Sequence, residues 1–110
     1  MTSKELVAAS SAPLVLSILA QGESYGYAII RRVRQVSKEA LQWTDGMLYP
    51  VLHRLERQGL ITAHWQTAET GRRRRYYRLT PAGQEQLSEK RREWTSVNSA
   101  LNELWGAGHA

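Results

Sequence analysis

The residues with the most chemistry to offer lie in one run: Arg72, Arg73, Arg74 and Arg75, then Tyr76, Tyr77 and Arg78, with no acidic residue between Glu69 and Glu85. A guanidinium is a planar fork of donors that matches phosphate oxygens two at a time. Like charges crowded on a short segment repel, so a phosphate partner explains the run better than a solvated surface does. Such a segment can grip phosphates or enter a minor groove. Alternation with a period of two places Arg74, Tyr76 and Arg78 on one face and turns Tyr77 and Leu79 inward.

A second constellation precedes the arginines. Leu48, Val51, Leu52 and Leu55 recur at helical spacing. Opposite them Gly46, Tyr49 or Pro50, His53 and Arg57 form a polar stripe, with Thr44, Asp45 and Arg54 beside it. On an anonymous helix such a stripe is usually solvated exterior. Next to an arginine-rich segment it offers donors and acceptors for base edges and phosphates.

Catalytic chemistry finds little support. His53, His64 and His109 fall on different elements without metal-ligand spacing, so neither an enzyme nor a cofactor is expected. The chain lacks cysteine, which excludes a disulfide framework and a thiol nucleophile. No glycine-rich phosphate loop follows a strand.

The elements that position these groups follow from periodicity. Thr2 and Glu5 have capping-box spacing ahead of an apolar helix, in which Pro13 predicts a kink or a restart capped by Ser11. Gly22, Glu23 and Ser24 punctuate the chain. Gly26, Ile29, Ile30, Val33 and Val36 then share one face of a second helix. Thr44 is the expected cap of the third, with Pro50 disturbing its first turn and Gly59 stopping it. Ile61, Ala63 and Trp65 alternate along a strand, and residues 67–72, with Gly71, make the hairpin loop before the arginine strand. Thr80 caps a last helix with Pro81 at its first position, running to Trp105 and closed by Gly106 and Gly108.

That order predicts a mainly α fold with a β-hairpin, a winged helix-turn-helix plus a long C-terminal dimerisation helix. Residues 1–80 are expected to form the DNA-binding domain, with the first helix joining the dimer interface, and residues 81–110 the dimerisation helix. At 110 residues, 42% hydrophobic and 23% charged, the chain is expected to fold as one small body whose burial a partner completes. Its net charge of +5 suits a polyanion. No segment is apolar for long enough to span a bilayer, and a cytoplasmic location without membrane contact is expected.

Three stretches resemble the PadR family of transcriptional regulators: Glu23-Ser24-Tyr25-Gly26-Tyr27; Met47-Leu48-Tyr49-Pro50-Val51-Leu52-His53-Arg54-Leu55-Glu56-Arg57-Gln58-Gly59-Leu60-Ile61; and Gly71-Arg72-Arg73-Arg74-Arg75-Tyr76-Tyr77-Arg78-Leu79-Thr80-Pro81-Ala82-Gly83. The resemblance implies a homodimeric repressor on a pseudo-palindromic double-stranded operator. The third helix would read the major groove, with Thr44, Asp45, Met47, Tyr49, His53, Arg54 and Arg57 at the DNA, Tyr49 near backbone phosphates, and Arg72, Arg73, Arg74 and Tyr76 flanking. It also implies that Pro50 is tolerated.

In the last helix Leu87, Trp94, Val97, Leu101 and Leu104, with Trp105 beyond, repeat like a coiled-coil seam interrupted by Lys90 and Arg91. A helix of that length spans about 37 Å, more than so small a body can cover, so its distal half is expected to meet a partner. Trp94 is either a seam residue or a ligand platform. The chain is similar in particular to the short PadR proteins of the LmrR multidrug-binding type. That similarity implies a pore at the dimer centre, where Trp94, with Leu6, Ala9, Ser10, Pro13, Val97 and Asn98, receives a planar aromatic ligand. Asn98 stands where that type carries an acidic residue. The competing expectation is a winged-helix module for RNA or protein partners without an effector.

Overall fold

The computed structural model describes residues 3–106, so the expected Thr2 cap, Gly108 and His109 lie outside the described residues. Helix α1, Lys4–Ala20, is capped by Ser3, whose hydroxyl accepts from the Leu6 amide at 3.2 Å. It runs unbroken through Pro13, with neither the expected restart at Ser11 nor a break in the helix. Ser10 and Ser11 donate to the carbonyls of Leu6 and Ala8 at 2.7 and 3.0 Å in the turns before the proline. Val15, Leu16 and Leu19 beyond it are anchored in the core.

Strand β1, Ser24–Tyr25, leads directly into α2, Gly26–Val36, and α3 follows as Asp45–Arg57. Thr44 has the extended backbone of an N-cap, but its hydroxyl makes no capping bond. Its carbonyl accepts from both Met47 and Leu48, at 3.1 and 3.0 Å, and the helix passes through Pro50 without interruption. Gly59, at φ +74°, reverses the chain in a conformation that other residues seldom adopt.

Strands β2, Ile61–Thr67, and β3, Arg73–Leu79, pair antiparallel from Ile61 opposite Leu79 to Thr67 opposite Arg73. Their loop is closed by the Ala68 amide on the Arg72 carbonyl at 2.8 Å. β1 adds an edge that the sequence did not announce, with Ser24 opposite Tyr77 and Tyr25 opposite Tyr76, giving the order β1-β3-β2. Three helices and this small sheet make a winged helix-turn-helix.

Helix α4, Pro81–Trp105, begins at Thr80, whose hydroxyl accepts from Gly83 at 3.0 Å and donates to the Gly59 carbonyl at 2.7 Å. It ends at Gly106, φ +70°. Its first turns belong to the body: Gly83 packs on the Leu60 carbonyl, and Leu87, expected on the partner seam, is buried with α1, α2 and α3 in the chain's own core. Leu87 is therefore covered before any partner arrives. The chain measures 54 Å by 29 Å by 22 Å, and beyond residue 90 α4 is exposed on most of its surface, leaving Trp94 and Leu101 half-buried.

Two other expectations fail for a shared reason. Val36 and Trp65 fit their apolar faces by spacing, yet both are exposed, because each lies toward the far end of its element beyond the reach of the core. Trp43, unassigned by periodicity, is buried just before α3 and joins that core.

Candidate nucleic-acid interface

An open cleft of about 660 Å³ lies between the helices and the hairpin. Asp45, Tyr49 and His53 line it from α3, and arginines 72–75 with Trp65 line it from the wing. Tyr25, Gly26 and Tyr27 close the end where β1 becomes α2. The sequence folds this way because α3 turns Leu48, Val51, Leu52 and Leu55 into the core and leaves its other face out. The hairpin in turn pins Ile61 and Tyr77 in the core and projects its arginine end past it.

Tyr49 packs over Gly26 so closely that a side chain there would collide with the phenol, lying 3.0 Å from its Cζ. Glycine at 26 therefore sets how near α2 comes to α3. The Tyr49 and His53 rings lie 6.3 Å apart along α3.

The arginines divide by what holds them. Arg75 donates to the Glu56 carboxylate at 2.9 Å and lies 5.8 Å from the Tyr77 ring centre. Arg73 sits 5.0 Å above the Trp65 ring, Arg74 4.5 Å above Tyr25, and Arg31 of α2 5.6 Å above Tyr27. Among the described residues Arg72, Arg73 and Arg74 have no carboxylate partner. A ring face orients a guanidinium while leaving its in-plane donors free for oxygen acceptors. Burial raises the Tyr77 phenol above its ordinary 10.0, against the pull of Arg75, so it stays neutral beneath these cations.

Asp45, Tyr49, His53, Arg72, Arg73 and Arg74 thus come together as expected from spacing. Thr44, Met47, Arg54 and Arg57 are exposed on α3 outside the cleft lining, with Arg57 beside His53 and Glu56 in a shallow depression. Tyr76 does not line the cleft: on the strand face it shares with Arg74 and Arg78, as alternation predicts, its ring meets Tyr25 edge-on at 5.3 Å and stacks near His64 at 6.2 Å. Glu23 joins that group, 3.3 Å from His64 Nε2 and bonded to Gln66 at 2.8 Å. Tyr25 and Tyr27, which periodicity did not single out, and Trp65, which it placed on an apolar strand face, are also cleft residues. The first two carry a signal in the Glu23-Ser24-Tyr25-Gly26-Tyr27 stretch.

A second groove, about 440 Å³ and largely apolar, brings Leu6, Ser10 and Pro13 of α1 against Trp94 of α4, with Leu14, Ser17 and Leu41. Ala9, Val97 and Asn98, expected with them, are exposed and do not line it. Val97, Leu104 and Trp105 stand largely in solvent, at 55%, 81% and 71% exposure. Among the described residues no helix is long and apolar enough to cross a membrane.

Comparison with known proteins agrees with this fold. A model described as the Transcriptional regulator PadR-like family matches residues 15–89. A transcriptional regulator of Mycobacterium tuberculosis is 44% identical over 76 residues, which is 69% of this chain and 68% of that protein. The solved structure of a transcriptional regulator from Clostridium thermocellum superimposes with a TM-score of 0.83 at 32% identity, covering 94% of this chain and 97% of the other. A PadR-like transcriptional regulator from Bacillus cereus gives 0.82 at 27% identity, over 93% and 97% of the two chains.

Proposed function

The chain belongs to the PadR-like family of DNA-binding transcriptional regulators, and from that premise we propose that it is a homodimeric repressor whose operator binding responds to a planar aromatic ligand. The observation that carries the DNA half is the cleft itself: an exposed helix face and a wing on which Arg73 and Arg74 are oriented by rings and left without carboxylate partners. Thr44, Asp45, Met47, Tyr49, His53, Arg54 and Arg57 meet the major groove, and Arg72, Arg73 and Arg74 hold phosphates beside it. Tyr76, on the sheet face beside Arg74, supports the wing through Tyr25 and His64.

The distal half of α4 supplies the dimer contact, through Trp94, Val97, Leu101, Leu104 and Trp105. Large apolar residues at 55% to 81% exposure on one helix are costly in water and are relieved by a second copy. The grouping of Trp94 with Leu6, Ser10 and Pro13 supports the ligand half, and with it the LmrR-type assignment. A flat aromatic compound needs only an indole face and some burial there, which favours broad rather than narrow ligand choice.

Selection of duplexes from a random pool, with and without planar aromatic compounds, tests the reading. The expected product is a pseudo-palindrome with half-sites about one helical turn, roughly 34 Å, apart. Arg74→Ala weakens binding to every duplex alike, whereas changes at His53 or Arg54 alter base preference. Equal affinity for RNA and random DNA, with no selected sequence, would overturn it.

A further inference from the structure

We infer that Trp65, an indole that neither the core nor the dimer contact uses, is a DNA-contact residue that seats Arg73 against the sugar-phosphate edge of the duplex. The inference deepens the DNA-binding reading above and rests on it. Trp65 is 58% exposed, near the far end of β2, where its neighbours along the inner face, Ile61 and Ala63, are drawn into the body. It lines the same cleft as Asp45, Tyr49 and His53, on the wing side.

Its surroundings select the partner. Trp65 pairs across the sheet with Arg75, carries Arg73 at 5.0 Å from its ring centre, and shares its side of the cleft with Arg72 and Arg74. Arg75 is already engaged by Glu56, which leaves Arg72, Arg73 and Arg74 as the cations open to a ligand. An apolar protein surface gains nothing by covering these unpaired guanidiniums, which would lose water without a counter-charge. A nucleic-acid strand satisfies both parts at once: phosphate oxygens take the arginine donors, and the apolar faces of deoxyribose take the indole. Cation–π attraction strengthens when water is removed, so closure of the strand over the pair tightens the hold on Arg73.

The contact is read directly by fluorine NMR of the full chain labelled with 5-fluorotryptophan, whose four resonances, from Trp43, Trp65, Trp94 and Trp105, are assigned by single Trp→Phe changes. On addition of a selected duplex the Trp65 resonance shifts and that of buried Trp43 does not. Trp65→Ala lowers affinity by roughly 5- to 20-fold for all duplexes and lowers the slope of log affinity against log salt by less than one, because Arg73 loses its seat but keeps its charge. Arg73→Ala instead reduces that slope by about one. Trp65→Phe, which keeps a ring for Arg73, retains most of the affinity, and unfolding midpoints of both variants near that of the parent separate contact from misfolding. A parent chain that binds no duplex sinks the DNA reading itself. A parent that binds while the Trp65 resonance stays fixed and Trp65→Ala binds equally well overturns this inference alone.

Discussion

Arg75 of the wing donates to Glu56 of α3 across 2.9 Å, the one ion pair among the described residues that bridges the hairpin and the helix beside it. Both groups are partly exposed, so the pair adds little stability, about 0.2–1 kcal/mol. Its geometric effect is larger, because the wing and α3 must meet one duplex together. Glu56→Gln and Arg75→Ala are each expected to lower the unfolding midpoint only slightly while weakening operator binding several-fold. A double-mutant cycle on operator affinity checks it: additive losses would show that the two residues act separately.

Gly83 predicts a much larger effect on stability. A Cβ there would collide with the Leu60 carbonyl and lie 2.7 Å from Leu79 Cδ1. The obstruction is mainly backbone, so rotation of a side chain cannot relieve it. Gly83→Ala is expected to cost about 1–3 kcal/mol or more, although alanine is the better helix former. Urea unfolding reads this as a lower midpoint with an unchanged slope.

How far such features were legible depended on the length of the pattern that carries them. α2, α3 and the β2–β3 hairpin were readable because each repeats its apolar residues over several turns or pairs, anchored at Ile29, Val33, Leu48, Leu52 and Tyr77. β1 has two residues and no period, and only its pairing with Tyr76 and Tyr77 defines it. Periodicity also says which face a residue takes but not whether the core extends that far, which is why Val36 and Trp65 are exposed and Leu87 is not. Of the site, Asp45, Tyr49, His53 and the arginines were legible by type and spacing. The rings that hold the arginines were not, since Tyr25 and Arg74 are 49 positions apart and meet only through the sheet.

Trp94 separates a ligand site from plain packing. Trp94→Ala is expected to abolish the quenching of tryptophan fluorescence by planar aromatic compounds and to reduce their affinity at least tenfold, while operator binding without ligand persists. Asn98→Asp adds a carboxylate on the exposed face nearby and is expected to favour cationic over neutral compounds. Isothermal titration with matched charged and uncharged compounds measures the preference; identical affinities in the alanine variant would remove Trp94 from the site.

Leu104 and Trp105 test assembly. They are 81% and 71% exposed in the single chain, so changing either to glutamate leaves the core untouched. A charge buried without a partner in a dimer contact is strongly unfavourable. Sedimentation equilibrium is expected to show dimers for the parent and mostly monomers for Leu104→Glu, with the helical circular dichroism of the body retained. Equal association of both chains would move the dimer contact elsewhere.

Tyr77 is expected to make stability depend on alkaline pH. Its phenol is fully enclosed and its pKa is raised, first by burial, with Arg75 working in the opposite direction. A raised folded-state pKa means that the neutral phenol is favoured by the folded chain. Below the ordinary value of 10.0 both states are protonated and the contribution is fully present. Above it the unfolded chain releases the proton first, and the contribution is lost as pH climbs through the folded-state value. Thermal unfolding of the parent and of Tyr77→Phe, from about pH 8 to about pH 11, isolates the effect, since phenylalanine has no proton to release. The expected result is a parent midpoint that falls more steeply than the variant's above pH 10.0. Parallel curves would mean that the phenol ionises as readily in the fold as outside it, and that the floor of the arginine cleft is open to water.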